Sequence, residues 1–437
     1  MFVSEALSVN ENGHLSIGGC DCLDLAARFG TPLYVMDEDL IRKNCRTYKD
    51  AMEKYYGENG KILYASKAFS TMAMCKIAEQ EGLGLDVVSA GELYTALASD
   101  FPRDMIYFHG NNKSDIELDV AIDSDIYCIV VDNLFELRNL NAKAAAKGKV
   151  VKIAFRIKPG IDAHTHDFVQ TGQIDSKFGV ALENGEALEA VRVATEMTHV
   201  ELIGVHCHIG SQIFDLAPFQ KAAEVMLGFV AEIKEKYGVH IQELNLGGGY
   251  GIKYVPSNDP IEYDKYIESV RDTVEKTCAA LDLEIPMLVM EPGRSIVASA
   301  GITLYTIGGV KKIENVRTYV SVDGGMADNP RYALYQSEYD AVIANRPEAE
   351  KDKLITIAGK CCESGDLLAK DILMPEVEVG EILAMLATGA YNYSMSSNYN
   401  RIPKPPVVLV KDGKARLIVK REDYEDIVRN DLVPADL

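Results

Sequence analysis

The sequence predicts an α/β protein: a (β/α)8 TIM barrel joined to a C-terminal all-β domain of the barrel or sandwich kind. Three observations predict it. From residue 35 to about residue 305, a short apolar run, a polar or glycine-bearing turn and a helical stretch recur about eight times. Beyond that point the chain becomes strand-rich, with period-two alternation interrupted by glycine and proline. Chemically unusual residues also collect where the apolar runs end, which is the rim where barrels keep their sites.

Taken in order, residues 1–34 hold short alternating runs such as His14-Leu15-Ser16-Ile17-Gly18, then a Thr31-Pro32 break before Leu33-Tyr34-Val35-Met36. These read as strands of a sheet formed elsewhere, so the β domain is expected to comprise 1–34 plus 306–437 and the barrel 35–305. The barrel strands are expected to end at 62–66, 85–89, 106–109, 129–132, 153–157, 205–209, 244–247 and 288–291. The β domain is expected to use 302–307, 318–322, 353–358, 381–387, 407–410 and 416–419.

Composition narrows the function. A chain of 437 residues, 47% of them hydrophobic, can bury a large core in about two domains. A net charge of −21 argues against nucleic acid as a partner. No run of about 18 apolar residues offers a membrane span, and the N-terminus lacks a signal peptide's basic start, so a cytoplasmic protein is expected. Nine cysteines without a Cys-x-x-Cys pair fit reduced thiols. Cys361 and Cys362 differ from the rest, because they stand in a polar turn with Glu363, Ser364, Gly365 and Asp366.

The end of the first barrel strand, Tyr64-Ala65-Ser66-Lys67-Ala68, carries a lysine whose ammonium must lose water as the strand packs. It is either a side chain snorkelling to the surface or an amine with a lowered pKa, poised to attack a carbonyl and form a Schiff base. The remainder of the rim favours a pocket. Asp86 and Ser89 belong to strand two, His109 ends strand three, Arg156 lies on strand five, and His208 with Ser211 follows strand six. Gly247-Gly248-Gly249-Tyr250-Gly251 after strand seven exposes backbone N–H groups to a phosphate, and Glu291-Pro292-Gly293-Arg294 follows strand eight. Barrels commonly build phosphate sites from these two loops. His206 and His208 share a strand face and could meet a metal, but no third or fourth ligand is identifiable for them, or for His164 and His166, so no metal site is expected. Glu291 either pairs with Arg294 or keeps a pyridine nitrogen protonated, making that ring an electron sink.

With YASKA at 64–68, DVVSAGEL at 86–93, HGNNKS at 109–114, HTHDFVQTGQIDSKFG at 164–179, HCHIGSQ at 206–212, GGGYG at 247–251, EPGR at 291–294, CESGD at 362–366 and GAYNYSMSSNYN at 389–400, the chain resembles the diaminopimelate decarboxylases. These are alanine-racemase-like, fold-type III enzymes that use pyridoxal 5'-phosphate (PLP). The resemblance implies PLP as cofactor and conversion of meso-diaminopimelate to L-lysine and CO2. It makes Lys67 the Schiff-base lysine and His208 the residue stacked on the cofactor ring. Asp86, Ser211, Gly248, Gly249, Glu291, Pro292, Gly293, Arg294 and Tyr391 would hold the cofactor, with Glu291 facing the pyridine nitrogen. Arg294, Arg331, Tyr335, Glu363 and Tyr391 would bind substrate, and Cys362 would protonate the carbanion. Cys361 stands where family members usually carry an apolar residue. The resemblance further implies a homodimer in which the Cys362 loop enters the partner's site.

Three other readings share parts of this pattern. A racemase of the same fold pairs the pyridine nitrogen with an arginine, which Glu291 opposes. An ornithine, arginine or polyamine-precursor decarboxylase shares most motifs, yet Arg294, Arg331 and Glu363 suit a distal centre bearing both ammonium and carboxylate. A PLP carrier would be a lone barrel without the CESGD loop.

Overall fold

The computed structural model describes residues 2–161 and 175–437. His164 and His166 therefore lie outside the described residues. The chain divides into two compact units, one of Lys43–Gly251 and Pro260–Ser295, the other of Met1–Arg42, Ile252–Asp259 and Ile296–Leu437.

The first unit is a closed barrel. Its eight strands are Gly60–Ala65, Gly84–Val87, Ile106–Phe108, Cys128–Val131, Val151–Lys158, Val200–His206, Glu243–Asn245 and Met287–Met290. Each pairs in parallel with the next, and the last pairs with the first through Leu288 opposite Gly60. Leu63, Tyr107, Cys128, Val130, Ala154, Ile203 and Val289 pack together as a buried cluster contributed by six of the strands. All eight expected strands are present.

The turns after the early strands are short because the next helix is capped at once. Thr71 Oγ1 accepts from Met74 N, Ser89 Oγ from Glu92 N, and Asn133 Oδ1 from Glu136 N. Ser114 and Glu117 form a reciprocal capping box. Each cap satisfies an otherwise orphaned amide of the first helical turn. Strand ends and helix starts are thereby locked together, which holds the rim residues in place.

The second unit is mostly sheet. Its main sheet runs Leu367–Met374, Lys353–Ala358, Arg317–Val322, Gly301–Ile313, Leu33–Asp37, Val407–Lys411 and Lys414–Val419. Ile382–Met385 also pairs with Gly301–Ile313 and with Ala341–Ile343. Leu33–Asp37 lies between two partners, antiparallel to Gly301–Leu304 and parallel to Val407–Val410. Leu15–Ile17 instead joins a separate three-stranded sheet with Leu7–Val9 and Cys20–Asp21. The strand Leu367–Met374 was not legible in sequence, because Lys370-Asp371 interrupts its apolar run. Asp371 takes a left-handed φ of 54°, and the pairing register slips nearby. Among the described residues no helix is long and apolar enough to cross a membrane.

Candidate active site

The barrel's C-terminal rim gathers a buried polar cluster from six strands. Lys67 follows strand one with its side chain 43% exposed, and its Nζ lies 3.5 Å from Asp86 Oδ2 on strand two. Glu291, the residue after strand eight, is buried. Its Oε1 accepts from Asn245 Nδ2 (2.7 Å), and His109 Nε2 approaches the same oxygen at 2.8 Å. His206 Nε2 lies 3.2 Å from Oε2. Burial by itself would push the Glu291 carboxyl up, but the two imidazoles outweigh it and hold the group well below the usual carboxylate range. Glu291 is therefore an anion, as a partner for a ring N–H must be.

His206 and His208 are kept neutral at ordinary pH. Burial lowers His206 to about 4 despite the attraction of Glu291. With His206 neutral, its Nε2 must carry the hydrogen, since it faces a carboxylate oxygen. His208 retains some accessible area, yet dense surroundings, then the charges of Lys67 and Arg156, hold it well below the usual imidazole value. A neutral imidazole suits a stacking role against a flat cationic ring better than a charged one. Arg156 from strand five lies 4.1 Å over the Phe178 ring.

The glycine-rich loop is required by close approach. A Cβ at Gly248 would collide with the Glu291 carbonyl, and one at Gly249, whose φ is +114°, would collide with the Gly210 carbonyl. Asn245 ties this loop to the acid, since its Oδ1 accepts from Gly247 N (2.9 Å) while its Nδ2 reaches Glu291. Glu291 N donates to Gly247 O (2.8 Å), Ala65 N donates to Pro292 O (3.1 Å), and a Cβ at Gly293 would lie 2.9 Å from the Ala65 Cβ. Arg294 donates to Ser211 Oγ from Nη2 (2.8 Å) and Nε (3.3 Å). A half-exposed amine, a Cβ-free cradle with a hydroxyl and guanidinium beside it, and an ionised acid for a ring nitrogen fit a phosphorylated pyridine aldehyde.

His109, His206 and Glu291 also lie close enough together to ligate a metal. Glu291 Oε1 is already engaged by Asn245, however, whose Nδ2 points a hydrogen, not a lone pair, at the cluster.

These groups mark the chain as more than a barrel. A family model for the pyridoxal-binding domain of pyridoxal-dependent decarboxylases matches residues 38–298. A diaminopimelate decarboxylase of Bacillus subtilis is 51% identical over 99% of this chain and 98% of its own length. The chain belongs to the diaminopimelate decarboxylase family. A relative of that name from Synechocystis is 45% identical over 98% of this chain and 92% of its own length. The crystal structure of diaminopimelate decarboxylase from M. jannaschii in complex with L-lysine superposes with a TM-score of 0.93, at 37% identity and full coverage of both chains.

The remaining expected site residues lie in the sheet-rich unit. Arg331 is buried, with its guanidinium carbon 5.2 Å from the Tyr335 ring centre and 5.0 Å from that of Tyr391. Its Nε has no hydrogen-bond partner among the described residues. Tyr391 holds a left-handed φ of 69°. In the turn at 361–366, Cys361 is buried and Cys362 exposed. Asp366 fastens this turn by accepting from Cys361 N (2.7 Å) and Met326 N (2.6 Å), and Cys362 N donates to Asn400 Oδ1 (2.7 Å). The Tyr399 hydroxyl donates to Glu363 Oε2 at 3.4 Å. Sequence reasoning missed Asn245 and Asn400, each an ordinary amide whose importance arises from what it meets across the fold.

Proposed function

We propose that the protein binds PLP and decarboxylates meso-diaminopimelate to L-lysine and CO2. The observation that carries this reading is Glu291, buried yet held as an anion by Asn245, His109 and His206 on the same rim as Lys67. Bound PLP supplies an electron sink for the carbanion left by loss of CO2. Lys67 offers the amine that carries the cofactor, with Asp86 beside it to govern the amine's proton. Gly248, Gly249 and Gly293 would admit the phosphate end, Ser211 and Arg294 would contact it, and His208 would cover the ring. Glu291 would accept the ring N–H and so keep that proton in place.

In the sheet-rich unit, Arg331 is suited to a carboxylate, because its buried Nε lacks a partner among the described residues. Glu363 suits the distal ammonium, with Tyr335 and Tyr391 forming aromatic walls. Cys362 holds on its Sγ the proton that must be delivered to Cα after CO2 departs. The protein acts as a homodimer in which the Cys362 loop serves the partner's site, and exposure of Cys362 supports this.

Two measurements test the reading. The PLP-loaded protein, given diaminopimelate stereoisomers, ornithine, arginine and lysine, should release CO2 from the meso isomer with matching L-lysine. Turnover of ornithine or arginine without turnover of diaminopimelate would sink the substrate assignment. Lys67→Ala and Cys362→Ala proteins should each be nearly inactive, yet regain about a quarter of wild-type activity after random subunit exchange, because mixed dimers carry one intact site. Exchange without recovery places both residues in one chain's site.

A further inference from the structure

Beyond helping to hold Glu291 ionised, His109 has no part in the roles given above, yet it stands between Glu291 and Asp86. It directly follows strand three, is 3% exposed, and is anchored by its N–H to Val87 O at 2.8 Å. Its Nε2 lies 2.8 Å from Glu291 Oε1 and 3.7 Å from Asp86 Oδ1. Asp86 Oδ2 in turn lies 3.5 Å from Lys67 Nζ. A single ring nitrogen thus faces the acid intended for the pyridine nitrogen and the acid beside the lysine.

The chemistry of that nitrogen follows from its neighbours. A bare imidazole lone pair would repel both carboxylate oxygens, so Nε2 carries a hydrogen. The approach to Glu291 is close but off the hydrogen-bond line, and Asp86 Oδ1 has no hydrogen-bond partner among the described residues. The N–H is therefore shared between two anions and spent fully on neither. His206 packs edge-on against His109, with ring centres 4.7 Å apart and planes at 71°, which limits rotation of the ring. At Glu291, Oε1 is engaged by Asn245 and crowded by His109, whereas Oε2 meets His206 alone at 3.2 Å. Oε2 is the oxygen with acceptor capacity to spare for a ring N–H.

We propose that His109 is a positioning residue whose Nε2–H orients Glu291 at one end of the cofactor and Asp86, with Lys67, at the other. This rests on the PLP reading above. A side chain that sets two anions at once should be energetically coupled to both, whereas a residue that only fills space should be coupled to neither.

The test is cofactor affinity of the apoprotein, measured by absorbance and fluorescence titration with PLP. His109→Leu should bind PLP about tenfold more weakly, and His109→Gln, which retains an N–H of similar reach, should stay within about threefold of wild type. In double-mutant cycles the loss from His109→Leu should shrink when Asp86→Asn or Glu291→Gln is already present. On the wild-type protein itself, nitrogen-15 NMR of histidine-labelled apoprotein should show a proton on His109 Nε2, the resonance being assigned by its absence in His109→Gln. A bare Nε2, or a His109→Gln protein as weak as His109→Leu with additive cycles, overturns the role of His109 alone. Failure of the wild type to bind PLP overturns the cofactor reading and this inference with it.

Discussion

The two ends of the barrel each bury a cluster of ionisable groups, and the clusters are built to opposite ends. At the N-terminal end, Glu243 accepts from the hydroxyls of Tyr107 (2.9 Å) and Tyr127 (2.6 Å), Lys61 Nζ donates to Tyr107 (2.9 Å), and the same Nζ lies 3.6 Å from Glu243. That network is closed, and none of its atoms is left buried without a partner. At the C-terminal rim, Asp86 Oδ1 and His206 Nδ1 are buried acceptors with no hydrogen-bond partner among the described residues, and Lys67 is 43% exposed. A buried polar network satisfied within itself stabilises, while one left partly unsatisfied has capacity for a ligand. The same barrel thus keeps its stability at one end and its chemistry at the other.

The largest expected effect tests the rim. Lys67→Ala should lower decarboxylation by about a thousandfold or more and abolish the visible absorbance of the PLP-loaded protein, with stability within about 1 kcal/mol of wild type. A variant that keeps both band and turnover removes Lys67 from the mechanism. At the opposite end, Glu243→Ala should destabilise by about 3 kcal/mol in urea unfolding, because two tyrosine hydroxyls lose their acceptor and Lys61 its counter-ion. Activity per folded molecule should stay within about twofold, and a large loss at unchanged stability would break the contrast between the two ends.

The smallest effect sharpens the contrast between closed and open groups in the sheet-rich unit. Burial, reinforced by Asp366, pushes the Cys361 thiol up to about 11, whereas Cys362 is exposed. Alkylation of the apoprotein near pH 7.5, followed by peptide mapping, should therefore label Cys362 about tenfold or more faster than Cys361. Equal labelling would show that the turn held by Asp366 opens in solution.

Much of this was legible in the sequence, for reasons that are local. The eight barrel strands follow from short apolar runs separated by capped helices, and their ends locate Lys67, Asp86, His109 and Glu291 on one rim. Leu367–Met374 escaped notice because a bulge with two charged residues breaks its alternation. Asn245 escaped because its amide is significant only once strand seven lies beside strand eight, with Asn245 opposite Val289. The pairing of Glu291 with Arg294 suggested by their nearness in sequence gave way to a different arrangement, in which Glu291 turns to Asn245 and the imidazoles while Arg294 donates to Ser211.

The sequence by itself determined the repeating strand and helix pattern, the Cβ-free loop and the identity of each reactive group, because periodicity, turn chemistry and side-chain type are properties of short segments. Only the tertiary structure decided which groups meet. Asp86, His109, His206 and Glu291 are separated by as many as 205 residues, yet one imidazole nitrogen lies within 4 Å of both of their carboxylates. That meeting depends on closure of the barrel, which brings strand eight beside strand one, and burial then amplifies the interaction of charges that water would have screened.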